Sequence, residues 1–171
     1  MRVAILGCGY VGLELARQLT PDHEVIGVRR STLDAVRETG ARAVEADVTD
    51  ADALAELPDV DALVFAASSG GRGAEAAREV YVEGLETAID AFADRESPPD
   101  QLVYTSSTGV YGDHDGDWVD ESTPIEPTTE KTAVLAEAER IATEYAAERG
   151  IDGTVARFAG LYGPDRYRLD R

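Results

Sequence analysis

Three glycines, Gly7, Gly9 and Gly12, stand in the stretch AILGCGYVG at the spacing Gly-x-Gly-x-x-Gly. Such glycines serve phosphate chemistry by what they lack. Gly7 permits a tight turn, Gly9 lets backbone approach a pyrophosphate, and Gly12 lets a following helix pack closely on the preceding strand. A helix opening at Tyr10 and Val11 would present N–H groups that have no intrahelical partner and point at an anion. The spacing alone is a weak signal. It becomes informative because RVAIL at 2–6 precedes it as a strand, and LELARQL follows with Leu13, Leu15, Ala16 and Leu19 at helical spacing. A dinucleotide is the expected ligand.

The end of the second strand selects between dinucleotides. An acid there grips a ribose 2′-hydroxyl, as in NAD sites, whereas an arginine accommodates the 2′-phosphate of NADP. Here the strand ends GVRRS, with Arg29, Arg30 and Ser31 at 17 to 19 residues after Gly12 and no acid among them. NADP is the expected cofactor and NAD the second choice. Asp47, after the third strand, is placed to hydrogen-bond an adenine edge; a plain cap for the segment starting near Thr49 is the other reading.

Other reactive side chains are few. Cys8 is the single cysteine, which excludes an internal disulfide; inside the glycine loop it reads as a small buried filler. DHDGDWVDE at 113–121 has acids at its first, third and fifth positions like a calcium loop. Trp118 stands at its required glycine and Pro124 at its twelfth position, so no metal is expected. The stretch reads instead as an acidic flap anchored by Trp118. His23 and His114 are too far apart to pair as ligands. Lys131, in EPTTEKTAV, is the only lysine of the chain.

These residues need a scaffold. Strands are expected at 2–6, 24–30, 41–50, 61–69, within 100–112 together with the following loop, and at 153–164. Helices are expected after Gly9, over 31–39 with Ser31 or Thr32 as N-cap and Gly40 as the stop, over 50–57, over 73–94 and over 128–149. Regular alternation of strand and helix implies an α/β fold, a Rossmann-type doubly wound parallel sheet with helices on both faces. The 171 residues form one domain, with no linker between the elements.

Charge bounds the partners. Thirty-four acids against sixteen bases give −18, which repels nucleic acid and anionic membranes. So acidic a surface, nearly without lysine, points to a salt-adapted (halophilic) protein, because self-repulsion is tolerable where salt screens it. The longest apolar runs, such as ALVFAA at 62–67, are far too short to cross a membrane. MRVAILGCG lacks a signal peptide's apolar core, so the expected location is the cytoplasm.

TSSTGVYGD at 105–113 resembles the SS…VYG segment of the NAD-dependent epimerase/dehydratase family, the extended short-chain dehydrogenases. RFAGLYGP at 157–164 is similar to the family's R…YGP segment. ADVTD, with Asp47 and Val48, is similar to its adenine contacts, and AAS, with Ala66, Ala67 and Ser68, to its nicotinamide-ribose contacts. GCGYVG is also similar to the oxidising nucleotide-sugar dehydrogenases, which lack the SS…VYG segment. The family resemblance implies that Ser107 orients a substrate oxygen. It also implies a Tyr-x-x-x-Lys pair on the next helix, followed by a Glu four residues on. Aligning that Glu to Glu137 puts Thr129 and Ala133 at the pair. Aligning Lys131 to the Lys puts Pro127 at the Tyr. Tyr145 and Arg149 have the spacing but lie about 24 Å down the helix. Lys131 is expected to point away from Thr129, about 200° around the helix. Tyr81 replaces the Asn usual on the preceding helix, and Tyr81 and Tyr111 are spare phenols near the site.

The implied function is an NAD(P)-dependent oxidoreductase or epimerase/dehydratase acting on a small hydroxyl, carbonyl or nucleotide-sugar compound. An inactive NADP-binding sensor is the alternative. The resemblance further implies a substrate-binding region beyond YGP, most of which this chain lacks, and a homodimer through the helices at 73–94 and 128–149.

Overall fold

Buried residues alternate sides along the strands, and that alternation builds two cores. The computed structural model describes residues 1–70, 73–164 and 166. Within these, six strands form one parallel sheet: β1 Arg2–Leu6, β2 Glu24–Arg29, β3 Arg42–Glu45, β4 Ala62–Phe65, β5 Gln101–Ser107 and β6 Asp152–Phe158. Their order is β3-β2-β1-β4-β5-β6, so the chain reverses direction across the sheet between β1 and β4. In open parallel sheets that reversal opens a crevice at the carboxyl ends of the strands.

Ala4, Leu6, Ile26, Val28, Leu63, Phe65, Leu102 and Tyr104 point to one face. There they meet a long helix at 74–93 and a second at 130–148, each interrupted by a π-helical turn, at Glu79–Glu83 and Ile141–Tyr145. The intervening Val3, Ile5, Val25 and Val64 point the other way. They pack on α1 (Tyr10–Leu19) through Ala16 and on α2 (Asp34–Arg37) through Val36. A short α3, Ala51–Ala55, precedes β4.

Strand ends differ from the sequence-based bounds for one reason: a parallel strand lasts only as long as its neighbour. β6 stops at Phe158 because Phe158 is registered with Ser107, the last residue of β5. β3 stops at Glu45, opposite the final Arg29 of β2. The expected N-caps of α2 are also corrected. Thr32 takes a positive φ of 60°, so the helix begins later, with Leu33 at the cap position and no side-chain cap. Gly40 ends the segment as expected, at φ +87°. The second long helix opens on a capping box, in which Thr129 accepts from the Thr132 amide while the Thr132 hydroxyl accepts from the Thr129 amide. Gly71 and Arg72 of the glycine-rich loop, and the chain end at Arg171, lie outside the described residues.

Candidate functional site

The glycine turn folds onto β2: the amides of Gly7 and Cys8 both donate to the Val28 carbonyl at 3.0 Å. The three glycines then divide their roles. Gly7 has φ +101°, and a Cβ there would lie 2.3 Å from the Ala67 backbone at the end of β4. A Cβ on Gly12 would lie 2.5 Å from the Gly7 carbonyl oxygen. At Gly9 an added Cβ would meet nothing within 4 Å. The outer two glycines seat loop and helix, and the middle one leaves an opening. The first amide of α1 to bond back within the chain's turn is that of Leu13, to the Gly9 carbonyl, so those of Tyr10, Val11 and Gly12 come ahead of the ladder. Cys8 is buried, and burial pushes its thiol up to about 11; it is inert filler at neutral pH.

This turn walls a groove of about 240 Å³. Opposite stand Arg29 at the end of β2 and Arg30 just after it, Asp47 and Val48 after β3, and Ala66 to Ser68 after β4. Asp47 caps no helix. Its Oδ1 accepts from the Thr49 amide at 3.1 Å and hydroxyl at 2.9 Å, and its Oδ2 lies 3.7 Å from Arg30 Nη1. The cap of α3 is Asp50, which accepts from the Ala53 amide at 3.0 Å.

A second cavity, about 360 Å³, adjoins the groove through Gly9, Ala66, Ala67 and Ser68. Tyr10, Val11, Tyr81, Ser107, Lys131 and Leu135 are among the residues that wall it. Ser107 both ends a strand and faces this space, since its hydroxyl also accepts from the Gly109 amide at 3.1 Å. Tyr81 reaches in from the π-helical turn of the first long helix, its hydroxyl accepting from the Ser69 amide at 3.4 Å. Burial would raise the Tyr81 phenol, but hydrogen bonds from Ser69 and Ser68 and the positive charge of Lys131 together bring it below its ordinary value.

The helix register differs from the sequence-based alignment. The positions spaced four apart that face the cavity are Lys131 and Leu135, not Thr129 and Ala133, which are exposed. Lys131 and Thr129 thus lie on different faces of the helix, and it is Lys131 that points into the cavity. The cause lies one helical turn on. Glu139, only 4% exposed, is the carboxylate drawn into the interior. It accepts from the Ser106 hydroxyl at 2.6 Å and from Arg157 of β6, through Nη2 at 2.8 Å and Nε at 3.1 Å. Glu137 instead makes a bidentate pair with Arg78 on the neighbouring helix, through Nη1 at 2.9 Å and through Nη2. Glu139, not Glu137, thus fixes the rotation of this helix.

Tyr111 is engaged elsewhere: its hydroxyl accepts from Arg157 Nη1 at 2.7 Å, and the guanidinium lies over its ring at 4.8 Å. Tyr145 donates to Asp90 at 2.6 Å and Arg149 pairs with Asp90 and Asp94, which tie the two long helices together away from the cavity. His114 Nε2 lies 2.9 Å from the Tyr111 carbonyl. Trp118 does not anchor the acidic loop, being 101% exposed. The loop is held by its own turns, with Asp113 and Asp120 accepting from amides two residues on. Among the described residues no cluster of three or more His, Cys, Asp or Glu could hold a metal ion, and no helix is long and apolar enough to cross a membrane.

Sequence reasoning missed Leu135, Thr105, Phe158 and Arg166 in the cavity wall. Arg166 sits over the Tyr10 ring at 4.9 Å, and no local signal marks that meeting. For Lys131 a signal did exist, its being the one lysine on a strongly acidic chain.

Known proteins resemble this chain in sequence and fold. Protein YeeZ of Escherichia coli strain K12 is 32% identical over 176 residues, covering 97% of this chain and 61% of its own. UDP-glucose 4-epimerase of Corynebacterium glutamicum is 30% identical over 167 residues, covering 92% and 51%. A double mutant of DesIV, a dTDP-glucose 4,6-dehydratase from Streptomyces venezuelae solved with NAD and DAU bound, superposes with a TM-score of 0.82 at 28% identity, covering 99% of this chain and 59% of its own. The chain thus spans between half and two thirds of the length of these relatives. With the family model matching residues 3–170, the chain belongs to the NAD-dependent epimerase/dehydratase family.

Proposed function

We propose that this domain binds a nicotinamide dinucleotide, with NADP preferred over NAD, and works on a hydroxyl or carbonyl group of a small or nucleotide-sugar compound. The observation that carries this is the run of two adjoining cavities along the carboxyl ends of β1, β4 and β5, sharing Gly9 and Ala66 to Ser68. The residues fit a dinucleotide. Gly7, Gly9 and Gly12 offer the open turn, and Tyr10, Val11 and Gly12 the amides ahead of the helical ladder, that a pyrophosphate needs. Asp47, Val48, Ala66, Ala67 and Ser68 line the groove; on this reading the first two would meet the adenine and the last three the nicotinamide ribose. When bound, the nicotinamide would supply a hydride acceptor or donor; Ser107 would hold the substrate oxygen.

Arg29 and Arg30 support NADP, because no acid stands at the end of β2 to take a ribose 2′-hydroxyl. The Arg30–Asp47 pair is loose and exposed, so a phosphate can compete for Arg30. In calorimetric titrations the Arg29→Ala/Arg30→Ala double variant should lose at least tenfold in NADPH affinity and keep its NADH affinity. An unchanged preference for NADPH refutes the assignment.

Leu135 supports a second reading, a sensor that holds NADPH without turning it over, since an apolar side chain faces the cavity where proton-transfer chemistry calls for a polar one. Both readings require NADPH binding. Only the first requires oxidation or reduction of at least one compound in a panel of nucleotide sugars, secondary alcohols and ketones.

On this reading the protein is cytoplasmic and salt-adapted, and the acid-rich surface supports the salt adaptation. Glu79, Glu83, Glu86, Glu144 and Glu148 are exposed on the two long helices. A homodimer through these helices would set like charges against each other, so it should form only at high salt. The melting temperature should rise between low salt and molar potassium chloride; a flat response contradicts this reading.

A further inference from the structure

We propose that Tyr81 and Lys131, carried by two different helices, form the proton-transfer pair of this site, with Tyr81 exchanging a proton with a substrate oxygen held near Ser107. The proposal rests on the catalytic reading above and names the groups that reading leaves unassigned.

Four observations converge. Tyr81, Lys131 and Ser107 wall one cavity, and that cavity opens onto the groove that carries the glycine turn. Tyr81 is presented by the π-helical turn Glu79–Glu83, a local widening of the helix of the kind that collects at functional sites. The Ser69 amide donates to its hydroxyl at 3.4 Å, which suits a phenolate better than a phenol. Lys131, half-buried on the facing helix, walls the same cavity, and its positive charge favours the ionised phenol. Among the described residues the other charged group in the cavity wall is Arg166, and the titratable neighbours are Tyr10 in the wall and the buried Tyr104 of β5 behind Tyr81.

The chemistry follows from general acid–base principles. A phenol at its free pKa of about 10 is a poor base at neutral pH, and an adjacent ammonium with an amide donor corrects this. In alcohol oxidation the substrate O–H bond breaks and its proton passes to Tyr81 Oη, turning phenolate into phenol. The electron pair left on the substrate oxygen would form the carbonyl π bond as the carbinol carbon gives up hydride, for which a bound oxidised nicotinamide would be the acceptor. Reduction runs the same steps backwards. Lys131 keeps its charge throughout and acts through the phenol; it is a positioning residue.

Two measurements test the pair. In ultraviolet titration of the folded protein, Tyr81→Phe should remove the phenol that ionises at the lowest pH, and Lys131→Met should shift that phenol's midpoint upward. Persistence of that transition in Tyr81→Phe, or no shift in Lys131→Met, overturns the pairing whether or not the protein is an enzyme. In turnover on a substrate accepted by the wild type, Tyr81→Phe should lower kcat at least a hundredfold with NADPH affinity unchanged. Lys131→Met should move the acid limb of the kcat/KM profile to higher pH, and Lys131→Arg should restore it. Full activity in Tyr81→Phe overturns the catalytic role. If the wild type turns over nothing in the panel, the catalytic reading falls and this role with it, whatever the titration gives.

Discussion

Glu139→Ala should lower stability by about 3–5 kcal/mol, whereas Glu137→Ala, two residues away, should change it far less. Glu139 is 4% exposed and answers the Arg157 guanidinium with both carboxylate oxygens while also accepting from Ser106. Its removal strands a largely buried cation and a buried hydroxyl together. Truncating one partner of such a pair costs much more than the pair itself contributes, because the survivor remains desolvated. At roughly 2–4 °C per kcal/mol for a chain of this size, the melting temperature should fall on the order of 10 °C. Glu139→Gln keeps the volume and part of the hydrogen bonding, so its loss should be smaller. Glu137 pairs with Arg78 at the surface, where water and salt already screen the charges. Chemical denaturation of the three variants measures the contrast. Equal, small effects at 137 and 139 would mean that the buried network does not hold the helix in register, and the placement of Lys131 in the cavity would lose its support.

The second large effect separates folding from ligand binding within one motif. Gly7→Ala forces a side chain onto φ +101° and drives its Cβ to 2.3 Å from backbone atoms of Ala67, which cannot step aside as a flexible side chain could. Backbone strain and overpacking together should cost roughly 2–6 kcal/mol. Gly9→Ala meets open space at φ −87°, an ordinary conformation, and should cost no more than about 1 kcal/mol as a weaker N-cap. Its methyl group would stand where the pyrophosphate must approach. NADPH affinity should therefore fall at least tenfold, about 1.4 kcal/mol, with the melting temperature nearly unchanged. A Gly9→Ala protein that binds as tightly as the wild type would move the pyrophosphate away from this turn.

The scaffold was readable because its signals are local. RVAIL and ALVF are apolar runs of strand length, Gly40 and Gly73 punctuate helices, and the glycine spacing sits between a strand and a helix. The cofactor-side residues followed, since each lies at a strand end in a motif. The other half of the site was not readable, because its geometry is set by partners remote in sequence. Glu137 and Glu139 are the same residue type on the same helix. What separates them is Arg157 on β6 for one and Arg78 on the neighbouring helix for the other. A slip of two residues in that choice rotated Lys131 out of the cavity and put Thr129, a helix cap, in its place. Trp118 failed for a related reason: an aromatic residue in a polar loop suggests an anchor, but its self-contained turns bring it to no apolar surface.

The most direct test of the central claim is a calorimetric titration of the purified chain, in molar salt, with NADPH and then NADH. Saturable one-to-one binding of NADPH, tighter than that of NADH by tenfold or more, is the predicted result. No saturable binding of either nucleotide would contradict the assignment of the groove between β1, β2 and β4 as a dinucleotide site.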